Sequence, residues 1–167
     1  MTDLILRPWQ KQDAQALASI ANNRNIWNNV RDFFPSPYTV VDALQWIAKT
    51  ATEKPVLNFA IVWQQQLVGG CGCIKKEDLY RKNIEIGYFI GEPYWGKGIA
   101  TEACRLLCYY ISEQMEMVRI EAHTFQNNKA SMRVLQKNNF YLEAIKKKSV
   151  FKNNELMDEY LWVKMLR

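Results

Sequence analysis

Ile84-Glu85-Ile86-Gly87-Tyr88-Phe89-Ile90-Gly91-Glu92-Pro93-Tyr94-Trp95-Gly96-Lys97-Gly98-Ile99-Ala100-Thr101-Glu102-Ala103 is the stretch whose reading decides the fold. Over residues 83–90 the side chains alternate: Ile84, Ile86, Tyr88 and Ile90 point one way, Glu85, Gly87 and Phe89 the other. That period of two predicts a strand. Residues 100–114 follow as a helix, so Gly96-Lys97-Gly98 fills the turn between strand and helix. The first N–H groups of a helix have no intrahelical partner and carry the positive end of its dipole, and flanking glycines let a loop curl around an anion. This predicts a phosphate-holding turn. A G-x-G is also compatible with a plain tight turn. It is not the dinucleotide fingerprint, which needs a third glycine after the first strand of the fold, and it is not a P-loop.

Working toward the C-terminus, residues 118–124 read as a strand, which with the preceding strand and helix forms a parallel pair. A helix over 129–137 comes next, then strands over 142–151 and 158–165 that turn around Lys152-Asn153-Asn154-Glu155. Toward the N-terminus, residues 58–63 and 67–75 form a hairpin across Gln64-Gln65-Gln66. Thr39 and Asp42 have capping-box spacing and open a helix through Val41, Leu44, Trp46 and Ile47. Residues 13–21 place Ala14, Leu17, Ala18 and Ala21 on one helical stripe, and 4–7 form an opening strand ended by Pro8. Residues 22–38, with five asparagines, have no clean period and read as a loop with a short helical turn. The order of elements predicts an α/β or α+β domain with a mixed sheet.

Length bounds the rest: 167 residues suit a single domain, over 1–167, that buries a continuous core without disulfides or metal. With 49% hydrophobic and 23% charged residues the composition is that of a packed globular protein. No basic leader or membrane-length apolar run is present, so a cytoplasmic protein without membrane partners is expected. Twenty-two Lys and Arg against 17 Asp and Glu give +5, a balance that favours anionic partners. Much of the excess lies in Lys146, Lys147, Lys148 and Lys152, which read as a solvated strand edge and turn. Cys71-x-Cys73 and Cys104-x-x-x-Cys108 lack zinc-knuckle spacing and predict small buried thiols, with no metal. The one histidine, His123, sits in an apolar strand and is expected to be a satisfied strand residue, since no nucleophile elbow accompanies it.

The quoted stretch closely resembles the central motif of the GNAT superfamily of acyl-CoA-dependent N-acetyltransferases. Within it, the chain looks like the branch named for ribosomal-protein N-terminal acetyltransferases. A second motif of that branch is resembled by Asn128-Lys129-Ala130-Ser131-Met132-Arg133-Val134-Leu135-Gln136-Lys137-Asn138-Asn139-Phe140. Order and separation agree over nearly the whole chain. The resemblance implies a mixed, mostly antiparallel central sheet with a splayed parallel pair and flanking helices. It implies acetyl-CoA as cosubstrate and an amine acceptor, either a protein N-terminus or a small molecule, attacked directly in a ternary complex. It further implies that Trp95, Gly96, Lys97, Gly98, Ile99, Ala100 and Thr101 hold the pyrophosphate, and that Tyr88, Phe89 and Ile90 offer a backbone edge to the pantothenate arm. Asn128, a plain N-cap by its sequence context, would touch the arm from the other side. The chain departs from the pattern in three places: Trp95 stands where Gln or Arg is usual, Asn139 where glycine is common, and Leu135 where many relatives carry a tyrosine acid.

Acetyl transfer needs a neutral amine, donors to the developing oxyanion and a proton for the leaving thiol. Glu85 is the candidate base, and a strand-end surface carboxylate is its alternative reading. Ser131 is the candidate acid by resemblance, while a serine in a first helical turn also serves a cap. Arg31, Asp32, Phe33, Phe34 and Tyr38 of the long loop are the candidate acceptor contacts. Two other classes fit the composition: a catalytically silent CoA-binding regulator, and a basic RNA-binding domain, although no RNA-recognition motif is present and none of the chemistry requires nucleic acid. The sequence leaves room for a homodimer.

Overall fold

A computed structural model describes residues 3–166. Its seven strands, β1 (Leu4–Pro8), β2 (Asn58–Trp63), β3 (Gln66–Lys75), β4 (Asn83–Ile90), β5 (Arg119–Phe125), β6 (Tyr141–Lys152) and β7 (Glu155–Met165), form one sheet. Their order is β1-β2-β3-β4-β5-β7-β6. β4 and β5 run parallel, whereas β1–β2, β2–β3, β5–β7 and β6–β7 are antiparallel. The helices are α1 (Ala14–Ala21), α2 (Arg24–Trp27), α3 (Val40–Thr50), α4 (Ile99–Gln114) and α5 (Lys129–Lys137). No helix among the described residues is long and apolar enough to cross a membrane.

The chain divides into two compact units, Met1–Gly72 with Tyr88–Ala103, and Cys73–Gly87 with Cys104–Arg167. It passes from one to the other inside β3, β4 and α4. In the first unit, Trp9, Leu17, Tyr38, Ile47 and four small alanines of α1 and α3 pack together, with Phe89 partly buried against them. The α1 stripe read from the sequence is the buried one, but the helix begins at Ala14, after a 3-10 turn over Lys11–Asp13 whose last residue, Asp13, is buried. There it accepts from the two terminal guanidinium nitrogens of Arg7, each at 2.7 Å, and from the Gln10 N–H at 2.8 Å. Burial pushes the Asp13 carboxyl up, but these donors outweigh it and hold it below its ordinary value. Thr39 and Asp42 make both capping-box bonds that open α3. The face of α3 differs from expectation: Ala43, Ile47 and Thr50 are buried, while Val41 and Leu44 are exposed. Residue 43 is small enough for close helix contact, so the apolar stripe rotates toward it. The β2–β3 turn is two residues, Gln64 and Gln65, at φ 50° and 64°, a left-handed pair that matches strand twist.

In the second unit Ile84, Leu107, Ile111, Ile120, Leu135 and Val163 are fully buried. Trp162 donates its indole N–H to the Thr124 hydroxyl at 3.1 Å. β6 is the edge strand, and Lys146 and Lys147 lie on it paired with Glu159 and Asp158 at 3.0 and 2.8 Å. Lys152 corrects the reading of a wholly solvated lysine group, since only 3% of its surface is exposed. Leu135, at the position where relatives carry a tyrosine, is in the core and has no acid to offer.

Candidate active site

The turn after β4 is set by backbone and by one tryptophan. Pro93 sits in a 3-10 turn, Glu92–Tyr94, closed by Tyr94 N–H to the Gly91 carbonyl at 2.9 Å and Trp95 N–H to Glu92 at 3.1 Å. Gly96 and Gly98 then take φ +75° and +78°, a region that side-chain-bearing residues rarely adopt, before α4 begins at Ile99. Gly96, Lys97 and Gly98 are exposed, whereas Ile99 is buried and anchors the helix start. A Cβ placed on Gly96 would meet no atom within 4 Å, so the space outside the turn is open. Trp95 donates its indole N–H to the Ile90 carbonyl at 2.7 Å. The residue that departs from the usual pattern therefore closes the loop onto the end of β4, and that carbonyl already has an internal donor. The Lys97 ammonium lies 5.6 and 5.5 Å over the Trp63 and Tyr94 rings.

The long loop is tied to this turn by asparagine. Asn23 and Asn25 donate to the Glu92 carboxylate at 2.6, 3.0 and 3.1 Å, bonds that hold the Glu92 carboxyl below its ordinary value. Neither the pairing nor its partner was visible in sequence, since the residues lie 69 and 67 positions apart. The five acceptor candidates separate. Arg31, Asp32 and Phe33 are exposed, Phe33 at 97%, whereas Tyr38 is 7% exposed in the core. Burial, with the nearby Asp42 charge, pushes the Tyr38 phenol up to about 12. Phe34 packs between Tyr38 and Phe89, at 4.9 and 5.4 Å between ring centroids.

In the second unit Glu85 is 9% exposed, which is not the surface carboxylate that its strand-end position allows. The Lys76 ammonium meets its Oε2 at 2.5 Å, and His123 Nε2 lies 3.9 Å from the same oxygen. Residue 85 pairs in register with Glu121, and the parallel ladder ends one step later at Ile86 and Ala122. β4 continues to Ile90 and β5 to Phe125. Glu121 and Glu143 both engage Arg119, Glu121 at 2.8 Å, and the guanidinium's hydrogen bond holds the Glu143 carboxyl below its ordinary value. The expectation of a satisfied His123 is not met: its Nδ1 is buried, 3.1 Å from Glu159 Oε2, yet no bond to it is aligned as a hydrogen bond. Asn128 caps α5, its Oδ1 accepting from the Ser131 N–H at 3.1 Å, and Ser131 itself is half-buried in that first turn.

All four cysteines are buried, and among the described residues none is in a disulfide and no group of three or more His, Cys, Asp or Glu is placed to hold a metal. The sequence profile of the Acetyltransferase (GNAT) domain matches residues 3–141. An uncharacterized N-acetyltransferase of Bacillus licheniformis, p20, is 27% identical over 165 residues, which cover 95% of this chain and 90% of that one. RimL, a ribosomal L7/L12 alpha-N-protein acetyltransferase solved with coenzyme A, shares the fold at TM-score 0.87 and 19% identity over 99% of this chain and 96% of its own. Spermidine N-acetyltransferase from Vibrio cholerae, solved with CoA and spermine, does so at TM-score 0.82 and 20% identity, with 99% and 96% covered. The mixed sheet with its parallel pair is thus a known fold, and by the domain match over residues 3–141 this chain belongs to the GNAT family of acetyltransferases.

Proposed function

We propose that this chain, working as one domain, moves an acetyl group from acetyl-CoA to a primary amine with both substrates bound before transfer. The observation that carries the reading is the conformation of the turn: two exposed glycines at φ +75° and +78° immediately before α4. Such a turn aims unpaired amide N–H groups outward at the positive end of a helix dipole, which suits a pyrophosphate. Residues 95–101 would hold it, Tyr88 and Phe89 would line the arm, and Asn128 would touch it while capping α5. The open space outside Gly96 fits a ligand that approaches the backbone closely. That RimL and the Vibrio cholerae enzyme were both solved with CoA supports the same cosubstrate here. Acetyl-CoA, when bound, supplies an acetyl group activated as a thioester.

The chain's own residues then have to deprotonate the amine. Glu85, buried and held beside the Lys76 cation, accepts that proton, directly or through one water. An α-amino acceptor, with a pKa near ~7.7–8.0, has a neutral fraction at pH 7.5, whereas a lysine-like amine near ~10.4 depends on the base. Ser131 is the candidate donor to the departing thiolate. Arg31, Asp32 and Phe33, exposed on the long loop, would meet the acceptor.

Thiol release measured over a panel of peptide N-termini, polyamines, amino sugars and amino acids tests the reading. We expect turnover on at least one primary amine, slowed in Glu85→Gln. CoA binding with no turnover on any amine would make the protein a silent CoA-binding regulator, and salt-dependent RNA binding without CoA binding would replace both.

A further inference from the structure

The only histidine of the chain stands between two carboxylates, and each carboxylate also meets a lysine at the same oxygen that faces the imidazole. Along this row the Lys76 ammonium meets Glu85 Oε2 at 2.5 Å, and His123 Nε2 lies 3.9 Å from that oxygen. His123 Nδ1 lies 3.1 Å from Glu159 Oε2, and the Lys146 ammonium meets the same oxygen at 3.0 Å. His123 is the first residue of β5 past the parallel ladder, one step beyond Ala122. Glu121, two residues earlier and in register with Glu85, is engaged by Arg119 at 2.8 Å. The buried Nδ1 has no aligned hydrogen bond. Native structures rarely leave such an atom orphaned, and those that do call for a reason.

We propose that His123 takes from Glu85 the proton that Glu85 removes from the acceptor amine, and that Glu159 positions the imidazole for this task. The inference rests on the reading of Glu85 as the base. Glu159 holds the proton on Nδ1, which leaves Nε2 bare toward Glu85; the bond one nitrogen makes fixes what the other can accept. The acceptor ammonium loses one proton to the Glu85 carboxylate, the Glu85 carboxyl passes it to Nε2, and water removes it from Nε2. Glu85 returns to its anion, the imidazole to its neutral form, and the proton on Nδ1 never leaves. The transient imidazolium is flanked by Glu85 and Glu159, while Lys76 and Lys146 keep the resting row near electrical balance. The 3.9 Å gap between Nε2 and Glu85 exceeds a hydrogen bond and closes by a small ring rotation, which also aligns Nδ1 with Glu159. Such contacts are often long before substrate binds.

A single histidine makes the test clean, because its ring nitrogens are the only imidazole signals in a 15N spectrum. We expect the neutral ring to carry its proton on Nδ1 in the wild-type protein and to lose that preference in Glu159→Leu. In steady-state assays His123→Gln should lower kcat about tenfold on a lysine-like amine, a modest share of what a proton-transfer group supplies, with the KM for acetyl-CoA unchanged. The deficit should shrink as pH rises, and free imidazole should restore part of the rate in His123→Ala. Wild-type kcat and pH profile in His123→Gln, or a loss that is flat with pH and unmoved by imidazole, would overturn the relay. An Nε2-protonated neutral ring in the wild-type protein would do the same. Glu85→Gln separates this from the failure of the parent reading: wild-type turnover in that variant removes the base itself, whereas a slow Glu85→Gln beside an unaffected His123→Gln removes only the relay.

Discussion

The turn at residues 91–98 and the row around Glu85 are two ends of one strand built on opposite plans. The turn is backbone: its distinguishing feature is the conformation of Gly96 and Gly98, which face solvent, and the side chains around it, Trp95 on Ile90 and Asn23 with Asn25 on Glu92, keep its shape. The Glu85 row is side chain: two carboxylates, an imidazole and two ammonium groups contributed from distant parts of the sequence. Backbone devices fail when a residue cannot adopt the required angles. Side-chain devices fail when one charge is removed, even if the shape is kept.

The variant that should break the turn most completely is Gly98→Val. A β-branched residue at φ +78° is strained and crowds the amides, so CoA binding by calorimetry should disappear while thermal unfolding stays cooperative. Unchanged affinity in the folded variant would remove the turn from the pyrophosphate site. On the other side of the comparison, Glu85→Gln keeps shape and deletes charge. Turnover on a lysine-like amine should drop on the order of 10²-fold with acetyl-CoA binding intact. Raising the pH should recover part of that loss, because the neutral fraction of the amine grows as pH climbs toward ~10.4. An α-amino acceptor should lose less. Equal losses on both acceptors across pH would place Glu85 in binding and not in proton transfer.

Asn128→Ala is expected to be milder. It removes the cap on the Ser131 N–H and should reduce unfolding free energy by about 1 kcal/mol in denaturant melts. If CoA affinity is then unchanged, Asn128 is a cap alone. Gly87→Ala should have the smallest effect. A Cβ there meets no atom within 4 Å, and stability should stay equal or rise by about 0.4–1 kcal/mol through loss of unfolded-state freedom. A stable Gly87→Ala variant with impaired turnover would show that the glycine is kept for a ligand passing along β4, not for the protein's own packing.

The turn was legible in sequence because both of its signals are local. Alternation over 83–90 and glycines at 96 and 98 are read within one short window, and β4 and α4 fall where the pattern puts them. The capping box at Thr39 and the 129–137 helix were legible for the same reason. The Glu85 row was not. A carboxylate on an alternating strand has the same sequence whether its neighbours are water or Lys76, and His123 gives no hint that Glu159 will lie beside it. Trp95 was legible as a departure but not as a hydrogen-bond donor, because its acceptor is a main-chain carbonyl that any residue at position 90 would supply.

The sequence by itself determined the strand–turn–helix unit and the parallel pair that follows from it, since periodicity and glycine placement are properties of neighbouring residues; the family came from the resemblance of residues 84–103 and 128–140 to known motifs and from the domain match over 3–141. The tertiary structure alone decided which face of α3 is buried, that Lys152 is inside and Tyr38 belongs to the core, and that Lys76, Glu85, His123, Glu159 and Lys146 form one row. Those outcomes depend on how distant elements meet: the buried face of α3 and the place of Tyr38 on helix packing, and Glu85, His123, Lys146 and Glu159 on strand register, where a shift of one residue would turn these four side chains to the other face.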